Sequence, residues 1–490
     1  MDDAPAIDLV IRGAQLIDGT GSAARQADVA IADDRIMAVG TVAEDAGGRE
    51  IDAAGLTLTP GFIDVHTHDD RAVLSNPTMD CKISQGVTTV VTGNCGISLA
   101  PLSPSGPPPA PANLIGDRPE HYFARFGDYL DALDTDPASV NVVAQVGHST
   151  LRMGAMDTLD RAATANEIAI MRARLEEALD DGAVGMSTGL FYRPANAAPT
   201  GEVIELAKTL APAGAMHSTH MRDETEHVLD SIDETCTIGR EAGVPIVISH
   251  HKCAGQANHG RTRVTLPRIA AAHERQPLAL DVYPYVAGST VLDARRMMNA
   301  SRVIVSWSKP HPEVVGRDFD DIAKDWNLSA EDTAERLNPA GAIYFIMDEA
   351  DVRRVLAFPR AMIGSDGLPH DSHPHPRLWG TFPRVLGHYA RDLGLFPLEE
   401  AVRRMSGFPA AQFGLTGRGV IREGAYADLV LFNAEQIIDR ATFEDPVQPA
   451  AGIAMVMVNG RLTWQDGEHV GSCAGRALRL ANLGPTGLDS

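Results

Sequence analysis

The sequence predicts an α/β fold with three parts: a (β/α)8 TIM-like barrel, a small β-sandwich formed by both termini, and an insertion between barrel strands 7 and 8. Three observations predict it. Both ends of the chain carry short β-like runs without helices. The middle alternates short apolar strands with helical stretches, which is typical of parallel βα units. One connection in that middle region is too long for a single helix.

Both terminal segments consist of short predicted strands separated by turn signals. Residues 7–58 contain the runs LVIRGAQLI, ADVAIADD, RIMAVG and LTLT, separated by turn signals such as Asp18-Gly19, Asp33-Asp34 and Gly47-Gly48. Similar runs return in residues 419–433 and 453–468, where Asn459-Gly460 is a strong signal for a hairpin turn. We therefore expect the two ends to form one β domain.

Eight candidate strands lie between the terminal segments. They are LTPGFIDVH (58–66), TTVVTGNC (88–95), NVVAQVGH (141–148), AVGMSTG (183–189), AMHSTH (215–220), PIVISH (245–250), LALDVYPY (278–285) and AMIGSDG (361–367). Helical stretches such as 165–182 lie between some of them. Eight strands with intervening helices fit a closed barrel better than an open doubly wound sheet.

The gap between the seventh and eighth strands predicts an insertion. Residues 286–345 lie within this gap, and we expect them to form a lid beside the barrel mouth. The predicted domains are a β-sandwich of residues 1–60 and 415–480 and a barrel of residues 61–414 that contains the insertion.

The composition excludes several classes of partner. Lys and Arg number 42 against 65 Asp and Glu, which gives a formal net charge of −23, whereas nucleic acids and anionic membranes attract clustered basic residues. No apolar run approaches the roughly 18 residues of a membrane helix. The acidic start MDDAPAIDLVIRG lacks the features of a secretory signal. We expect a cytoplasmic protein that binds small molecules, with no nucleic-acid or membrane partner.

Histidine, cysteine and aspartate collect at the carboxyl ends of the predicted strands, the edge that carries the active site in a barrel. The first strand ends in His66-Thr67-His68, and the strand period of two places both imidazoles on one face. The second strand ends at Cys95 and the eighth at Asp366. The alternative for His66 and His68 is a pair of surface or helix-capping histidines.

Parity separates neighbouring histidines on the fifth and sixth strands. His220 lies nearer the end of its strand than His217 and faces the other way, so it is the better ligand candidate. His250 and Lys252 share a face, which makes His250 a ligand candidate and Lys252 a residue of the barrel mouth. His251 points the other way, and we expect a structural role for it.

The donor types indicate zinc. Imidazole nitrogens, a thiolate and a carboxylate form a borderline-soft set that suits Zn²⁺. The alternative is a protein without metal whose histidines are structural. A catalytic zinc keeps one position open for water and lowers the pKa of that water to about 7. Asp366, alone at the end of the eighth strand, is the carboxylate placed to move the proton.

These features together resemble the amidohydrolase superfamily, which comprises metal-dependent barrel hydrolases with a flanking β-sandwich built from both termini. The resemblance covers nearly the whole chain. Its markers are PGFIDVHTH, the histidines that end strands five and six, the aspartate of strand eight, and the return segment GAYADLVLF.

One departure from the superfamily pattern narrows the resemblance. Many members carry a carbamylated lysine at the end of strand four, but AVGMSTGLFYRP (183–194) contains no lysine. GNCG (93–96) instead ends strand two with a cysteine, which resembles the N-acyl-D-amino acid deacylase (D-aminoacylase) branch. Further segments similar to that branch are STGLFYRP, THMRDE (219–224), ISHHKC (248–253), DVYPYVAGST (281–290) and GSDGLPHDSHPHPRLWG (364–380).

The resemblance implies one tight zinc site and a second, weaker metal site. The ligands would be Cys95, His220 and His250 for the first site, and His66 and His68, with Asp366 nearby, for the second. Asp366 would act as general base toward water and then as general acid toward the departing amine. The implied reaction is hydrolysis of an N-acyl-D-amino acid to a carboxylate and a free D-amino acid.

The α-carboxylate of such a substrate calls for cationic and hydrogen-bonding groups at the mouth. The resemblance implies these substrate-binding residues: Lys252, Tyr283, Ser289 and Arg377, with Tyr192 near the scissile group and Arg296 of the insertion as a further candidate. The alternative for the arginines is an ordinary surface or salt-bridge role.

The sequence also bears on side-chain preference and on two competing functions. The segments SWSKPHPE (306–313) and GAIYFIMDEADV (341–352) resemble the branch for acylated D-glutamate, so we expect D-glutamate or broad specificity first and D-aspartate last. One competing function is a cyclic-amide hydrolase, such as a hydantoinase or dihydroorotase, and the other is a non-catalytic barrel scaffold. The absence of a lysine from strand four and the presence of Cys95 weigh against a cyclic-amide hydrolase. The filled ligand positions weigh against a non-catalytic scaffold. The sequence carries no signal for oligomeric state.

Overall fold

The computed structural model describes residues 6–487, and strands alternate with helices over most of that length. The chain is therefore mixed α/β. Residues 1–5, at the start of the predicted segment 1–60, and residues 488–490 lie outside the described residues. Within the described part, no helix combines the length and the apolar composition that crossing a membrane requires.

Parallel strands in the middle of the chain each pair with their neighbours in sequence. They are, from first to eighth, Phe62–Asp64, Val87–Thr92, Asn141–Ala144 with Val146–Gly147, Gly185–Gly189, Met216–His220, Ile246–Ile248, Leu278–Val282 and Ala361–Ile363. The third is interrupted at Gln145, so that its first part pairs with the second strand and its last part with the fourth. A bridge between Thr67 and Gly367 joins the ends of the first and eighth strands.

Helices connect these strands, and Ala165–Asp181 shows how the sequence sets their limits. The Thr164 side chain accepts a hydrogen bond from the backbone N–H of Glu167, whose carboxylate accepts one from the N–H of Thr164. The other helices are Ala72–Ser75, Asp80–Ile83, Phe126–Thr135, His148–Ala155, Arg193–Asn196, Thr200–Ala207, Leu210–Ala213, Val228–Ala242, Thr262–His273, Ala294–Met297, Phe319–Trp326, Ala330–Leu337, Glu349–Leu356, Arg377–Arg384, Leu398–Met405 and Gly407–Gln412. Short 3-10 turns and the π-helix Val385–Asp392 complete the set for the described residues.

One buried apolar cluster takes side chains from or beside every parallel strand. Its strand members include Ile63, Val91, Val143, Val184, Met216, Val247, Ala279 and Met362. Phe408 and Phe413 belong to the same cluster and are almost fully buried. Because full burial of such a side chain contributes about 1.5–3 kcal/mol, the cluster is a main support of the strand arrangement.

Strands from both ends of the chain share a nine-stranded sheet. Its members are Leu9–Leu16, Arg25–Ala32, Arg35–Gly40, Arg49–Asp52, Thr57–Pro60, Leu429–Phe432, Ile453–Val458, Arg461–Gln465 and Glu468–His469. Thr57–Pro60 pairs antiparallel with Leu429–Phe432, and this pairing joins the N-terminal and C-terminal parts.

The predicted insertion contains a three-stranded antiparallel sheet. Ala340–Phe345 lies between Ala287–Val291 and Val303–Ser308. Phe319 and Leu337, from two helices of the insertion, are buried with residues of these strands in a separate apolar cluster. The insertion therefore has a core of its own.

We predict that Gly460→Ala lowers the melting temperature more than Gly467→Ala. Both glycines have a positive φ, +74° and +90°, which costs a residue with a side chain roughly 1–2 kcal/mol. A Cβ at position 460 would collide with the carbonyl oxygen of Asp33, whereas no described atom lies within 4 Å of a Cβ at position 467. Thermal unfolding at matched metal content measures the difference. Equal shifts would contradict close packing of the 459–460 turn against the N-terminal strands.

Candidate metal centre

The predicted ligand residues follow the apolar cluster by three or four positions along their strands. His66 follows Ile63, Cys95 follows Val91, His220 follows Met216, His250 follows Val247, and Asp366 follows Met362. Since the strands are parallel, the chain leads each of these side chains to the same carboxyl edge. All five are buried there, as is His68.

The structure brings these side chains together in two groups that share Cys95. The ligand atoms of His66, His68, Cys95 and Asp366 lie within 4.8 Å of one another, and those of Cys95, His220 and His250 do the same. The thiol therefore stands between the two histidine groups.

The spacing around Cys95 fits a tetrahedral zinc ion. Cys95 Sγ lies 3.4 Å from His250 Nε2 and 3.7 Å from His220 Nδ1. Zinc–sulfur bonds of about 2.3 Å and zinc–nitrogen bonds of about 2.0–2.1 Å place sulfur and nitrogen roughly 3.5 Å apart on a tetrahedron. The donor types and these distances both suit zinc. Cys95 Sγ also lies 3.3 Å from His66 Nε2 on its other side.

The electrostatics of the site favour ionised Cys95 and Asp366. Burial opposes ionisation of Cys95, but the charges of His66 and His250 outweigh it and hold the pKa of the thiol well below its ordinary value. Burial likewise opposes ionisation of Asp366, but Arg377 and His66 hold its pKa well below the ordinary value. The thiolate is the form of cysteine that binds metal.

The pKa values of His66 and His68 also depend on the charged groups around them. Burial lowers the pKa of His68, but the hydrogen bonds and charges of Asp366 and Cys95 together outweigh this and raise the pKa to about 9. Burial also lowers the pKa of His66, and the carboxylate of Asp281 with the thiolate of Cys95 raises it well above its ordinary value. A metal that binds here must therefore displace protons.

Three of the clustered residues have an unusual backbone conformation. Cys95, His250 and Asp366 have φ values of +53°, +37° and +52°, a region that disfavours residues with a side chain and is common at functional sites. Two of them are held by short hydrogen bonds: the N–H of His250 donates to Asp281 Oδ1 at 2.8 Å, and that of Asp366 donates to the carbonyl of His66 at 2.7 Å.

Two carboxylates behind the histidines were not predicted from the sequence. Asp281 Oδ2 lies 3.2 Å from His66 Nδ1, and Glu224 Oε1 lies 3.1 Å from His250 Nδ1. Each contacts the ring nitrogen that points away from Cys95. Both residues belong to the recognised segments DVYPYVAGST and THMRDE, but no spacing between carboxylate and histidine along the chain signals these contacts.

A cavity lies in front of the ligand groups, and residues of both groups contribute to its lining. Five of the predicted substrate residues line it: Tyr192, Lys252, Tyr283, Ser289 and Arg296. Arg377 is not one of the lining residues, and it lies almost fully buried beside Asp366. Ile97, Pro111, Leu114 and Leu368 add an apolar part to the cavity wall.

The three predicted cations differ in their partners. Lys252 Nζ lies 2.7 Å from Glu224 Oε1, and Arg377 lies 2.8 Å from Asp366 Oδ2. The guanidinium of Arg296 lies 4.0 Å from the ring centroid of Phe191, and no carboxylate of the described chain lies within ion-pair distance of it. Arg296 is thus the cavity cation that is available to an anionic group.

Three other histidines at strand ends serve the surrounding structure. His148 pairs with Glu202 at 3.1 Å, and His251 contacts Thr265 Oγ1 at 2.8 Å. His217 contacts Thr188 on the neighbouring strand. All three are buried outside the two groups around Cys95.

The chain is similar to several known proteins over nearly its whole length. The amidohydrolase family model matches residues 49–302 and 322–464. A D-aminoacylase of Alcaligenes xylosoxydans xylosoxydans is 56% identical over 476 residues, which are 97% of this chain and 98% of that protein. An N-acyl-D-aspartate deacylase of the same organism is 52% identical over 474 residues, 96% of this chain and 95% of that protein.

A solved structure is also similar. N-acyl-D-glutamate deacylase from Bordetella bronchiseptica, complexed with zinc and a phosphonate inhibitor that mimics the tetrahedral intermediate, is 44% identical and superposes with a TM-score of 0.93. The match covers 96% of this chain and 99% of that one. These matches confirm the resemblance that the sequence motifs predict: the chain belongs to the D-aminoacylase family of the amidohydrolases and is a metal-dependent amidohydrolase.

Proposed function

We propose that this chain is a zinc-dependent N-acyl-D-amino acid deacylase, which hydrolyses the amide bond of its substrate to a carboxylate and a free D-amino acid. The observation that carries the proposal is the placement of Cys95 Sγ at tetrahedral spacing from nitrogens of His220 and His250. The D-aminoacylase and the two deacylases to which the chain is similar support the same substrate class.

The proposed tight zinc site consists of Cys95, His220 and His250. A thiolate with two imidazoles leaves the fourth position of a tetrahedral ion open, as catalytic zinc sites do. His66 and His68 are proposed as the weaker second site, because Asp366, the carboxylate grouped with them, is also engaged by Arg377. Bound zinc supplies a Lewis acid and a water whose pKa is lowered to about 7.

Asp366 is proposed as the proton-transfer residue. Its Oδ1 lies 3.2 Å from His68 Nε2 and 3.5 Å from His66 Nε2, at the junction of the two ligand groups. Arg377 keeps the carboxylate ionised and therefore able to take a proton from the attacking water. The same carboxyl group then donates that proton to the nitrogen of the departing amine.

The cavity wall offers groups for the α-carboxylate of the substrate. Lys252 supplies a cation, and Ser289 and Tyr283 supply hydroxyl groups. The hydroxyl of Tyr283 is buried and has no hydrogen-bond partner in the described chain, which leaves it free to donate to substrate. Arg377 lies behind the wall, and we propose that it acts on substrate through its ion pair with Asp366. Tyr192 is proposed near the scissile group, since its ring centroid lies 4.9 Å from that of His220.

The side-chain pocket is proposed to accept N-acyl-D-glutamate or a broad range of side chains, with N-acyl-D-aspartate last. Arg296 provides a cation without a carboxylate partner in the described chain, which suits an acidic side chain. Tyr192, Tyr344 and Ile346 line the same cavity and suit apolar side chains. A cyclic-amide hydrolase is disfavoured because the fourth parallel strand, Gly185–Gly189, offers no lysine.

We also propose the division of the chain into a barrel, a terminal β domain and a lid. The parallel strands follow chain order, and the bridge between Thr67 and Gly367 links the last to the first, which supports a closed (β/α)8 barrel of residues 61–414. The shared nine-stranded sheet supports a terminal β domain of residues 1–60 and 415–480, and the separate sheet supports a lid of residues 286–345.

We predict that Cys95→Ala removes stoichiometric zinc, because it deletes the thiolate on which the tight site is built. Cys253→Ala is the matched control, since burial raises the pKa of its thiol to about 11 and keeps it neutral. Elemental analysis of the purified variants measures the zinc content. If the double variant Cys95→Ala with His220→Ala still binds zinc, the ligand assignment is refuted.

We predict that Asp366→Asn retains zinc and loses turnover. The amide has nearly the shape of the carboxylate but cannot accept the proton, and proton transfer contributes typically 10²–10⁴-fold to the rate. Steady-state kinetics together with zinc analysis separate this loss from a loss of metal. Turnover at the wild-type rate would exclude Asp366 as the proton carrier.

A panel of N-acetyl D- and L-amino acids tests the substrate class. We expect release of free amine from D-substrates only. Arg296→Met should lower kcat/KM for N-acetyl-D-glutamate by roughly 10–100-fold, the value of a hydrogen bond to a charged group, and leave N-acetyl-D-methionine nearly unchanged. Arg295→Met is the control, because Arg295 is 86% exposed and pairs with Asp293. A preference for L-substrates would defeat the proposed function, and an equal effect of both arginine variants would defeat the role of Arg296.

A further inference from the structure

One buried carboxylate lies behind both histidines of the proposed tight site. Glu224 Oε1 lies 3.1 Å from His250 Nδ1, and Glu224 Oε2 lies 3.7 Å from His220 Nε2. In each ring this is the nitrogen that faces away from Cys95, so Glu224 does not compete for the metal position. It therefore contacts each imidazole on the side opposite Cys95.

Lys252 approaches the same nitrogen of His250. Its Nζ lies 2.8 Å from His250 Nδ1 and 2.7 Å from Glu224 Oε1. An ammonium group has only donors. A hydrogen bond from Lys252 to Nδ1 would require that nitrogen to carry no proton, and the neutral ring would then carry its proton on Nε2.

That tautomer is incompatible with metal binding. Nε2 is the nitrogen that lies 3.4 Å from Cys95 Sγ, and a ligating nitrogen must present its lone pair. When Nδ1 instead donates its proton to Glu224, Nε2 is free. Glu224 and Lys252 therefore favour opposite tautomers of His250.

We propose that Glu224 is a positioning residue that selects the metal-binding tautomer of His250. It accepts the proton of Nδ1, and as the ion-pair partner of Lys252 it competes with that nitrogen for the protons of the ammonium group. The same carboxylate thereby sets both a metal ligand and a cation at the substrate cavity. The inference rests on the proposed zinc ligands.

The test measures the dissociation constant for zinc by titrating metal-free full-length protein with Zn²⁺ in competition with a chromogenic chelator. Glu224→Gln should raise it about 10- to 100-fold, the usual effect of losing a partner behind a ligand histidine. Lys252→Met should leave it near the wild-type value. The double variant Glu224→Gln with Lys252→Met should recover much of the lost affinity, because the competing donor is gone.

Glu234→Gln is the matched control. Glu234 pairs with Arg222, two residues before Glu224, at 2.8 Å, so its loss disturbs the same loop without touching His250. Wild-type zinc affinity is expected for this variant. Affinity lost equally by Glu234→Gln and Glu224→Gln would show a loop effect and overturn the proposal.

Two further results would overturn it. One is wild-type zinc affinity in Glu224→Gln, and the other is a double variant as weak as Glu224→Gln alone. If Cys95→Ala loses zinc while Glu224→Gln keeps it, only this inference fails. If Cys95→Ala also keeps its zinc, the proposed ligands and the inference fail together.

Discussion

The ionised sulfur of Cys95 is the interaction on which the site depends. It belongs to both groups of candidate ligands, at 3.3 Å from His66 Nε2 and 3.4 Å from His250 Nε2. A buried thiolate is stable only where positive charge offsets the loss of hydration, and the imidazoles supply that charge. The fourth strand, Gly185–Gly189, carries no lysine, and the proposed negative ligand between the two groups is the Cys95 thiolate.

The scaffold holds this charge cluster with buried hydrogen bonds below it. Lys82 is fully buried, and its Nζ lies 2.8 Å from both Asp64 Oδ2 and Ser365 Oγ. Asp64 Oδ1 also accepts the N–H of Ser365 at 2.7 Å. These bonds connect the first strand to Ser365, the residue before Asp366. They therefore help to hold Asp366 in its left-handed backbone conformation. Removing one partner of such a buried network would leave an uncompensated charge.

Much of this could be predicted from the sequence, because strand ends and period-two parity are local properties. Parity separates His220 from His217 and His250 from His251, and the structure places the preferred member of each pair beside Cys95. Contacts between distant positions carry no local signal. Asp281 and His66 are 215 positions apart, and the pairing of Arg377 with Asp366 depends on side-chain conformation. The β-like run 419–433 contains only the strand Leu429–Phe432, since turns at Gly419 and Gly424, with φ of +72° and +79°, interrupt it.

The net charge of −23 does not prevent an anionic substrate from binding at this site. At physiological salt the Debye length is about 8 Å, so acidic groups on the outer surface are largely screened at the cavity. The local charges decide the potential there. Lys252 and Arg377 are balanced by Glu224 and Asp366, whereas Arg296 forms no ion pair with a carboxylate of the described chain, and a bound zinc ion would add positive charge. Arg296 and a bound zinc ion would therefore attract the carboxylate of the proposed substrate, although the protein as a whole is acidic.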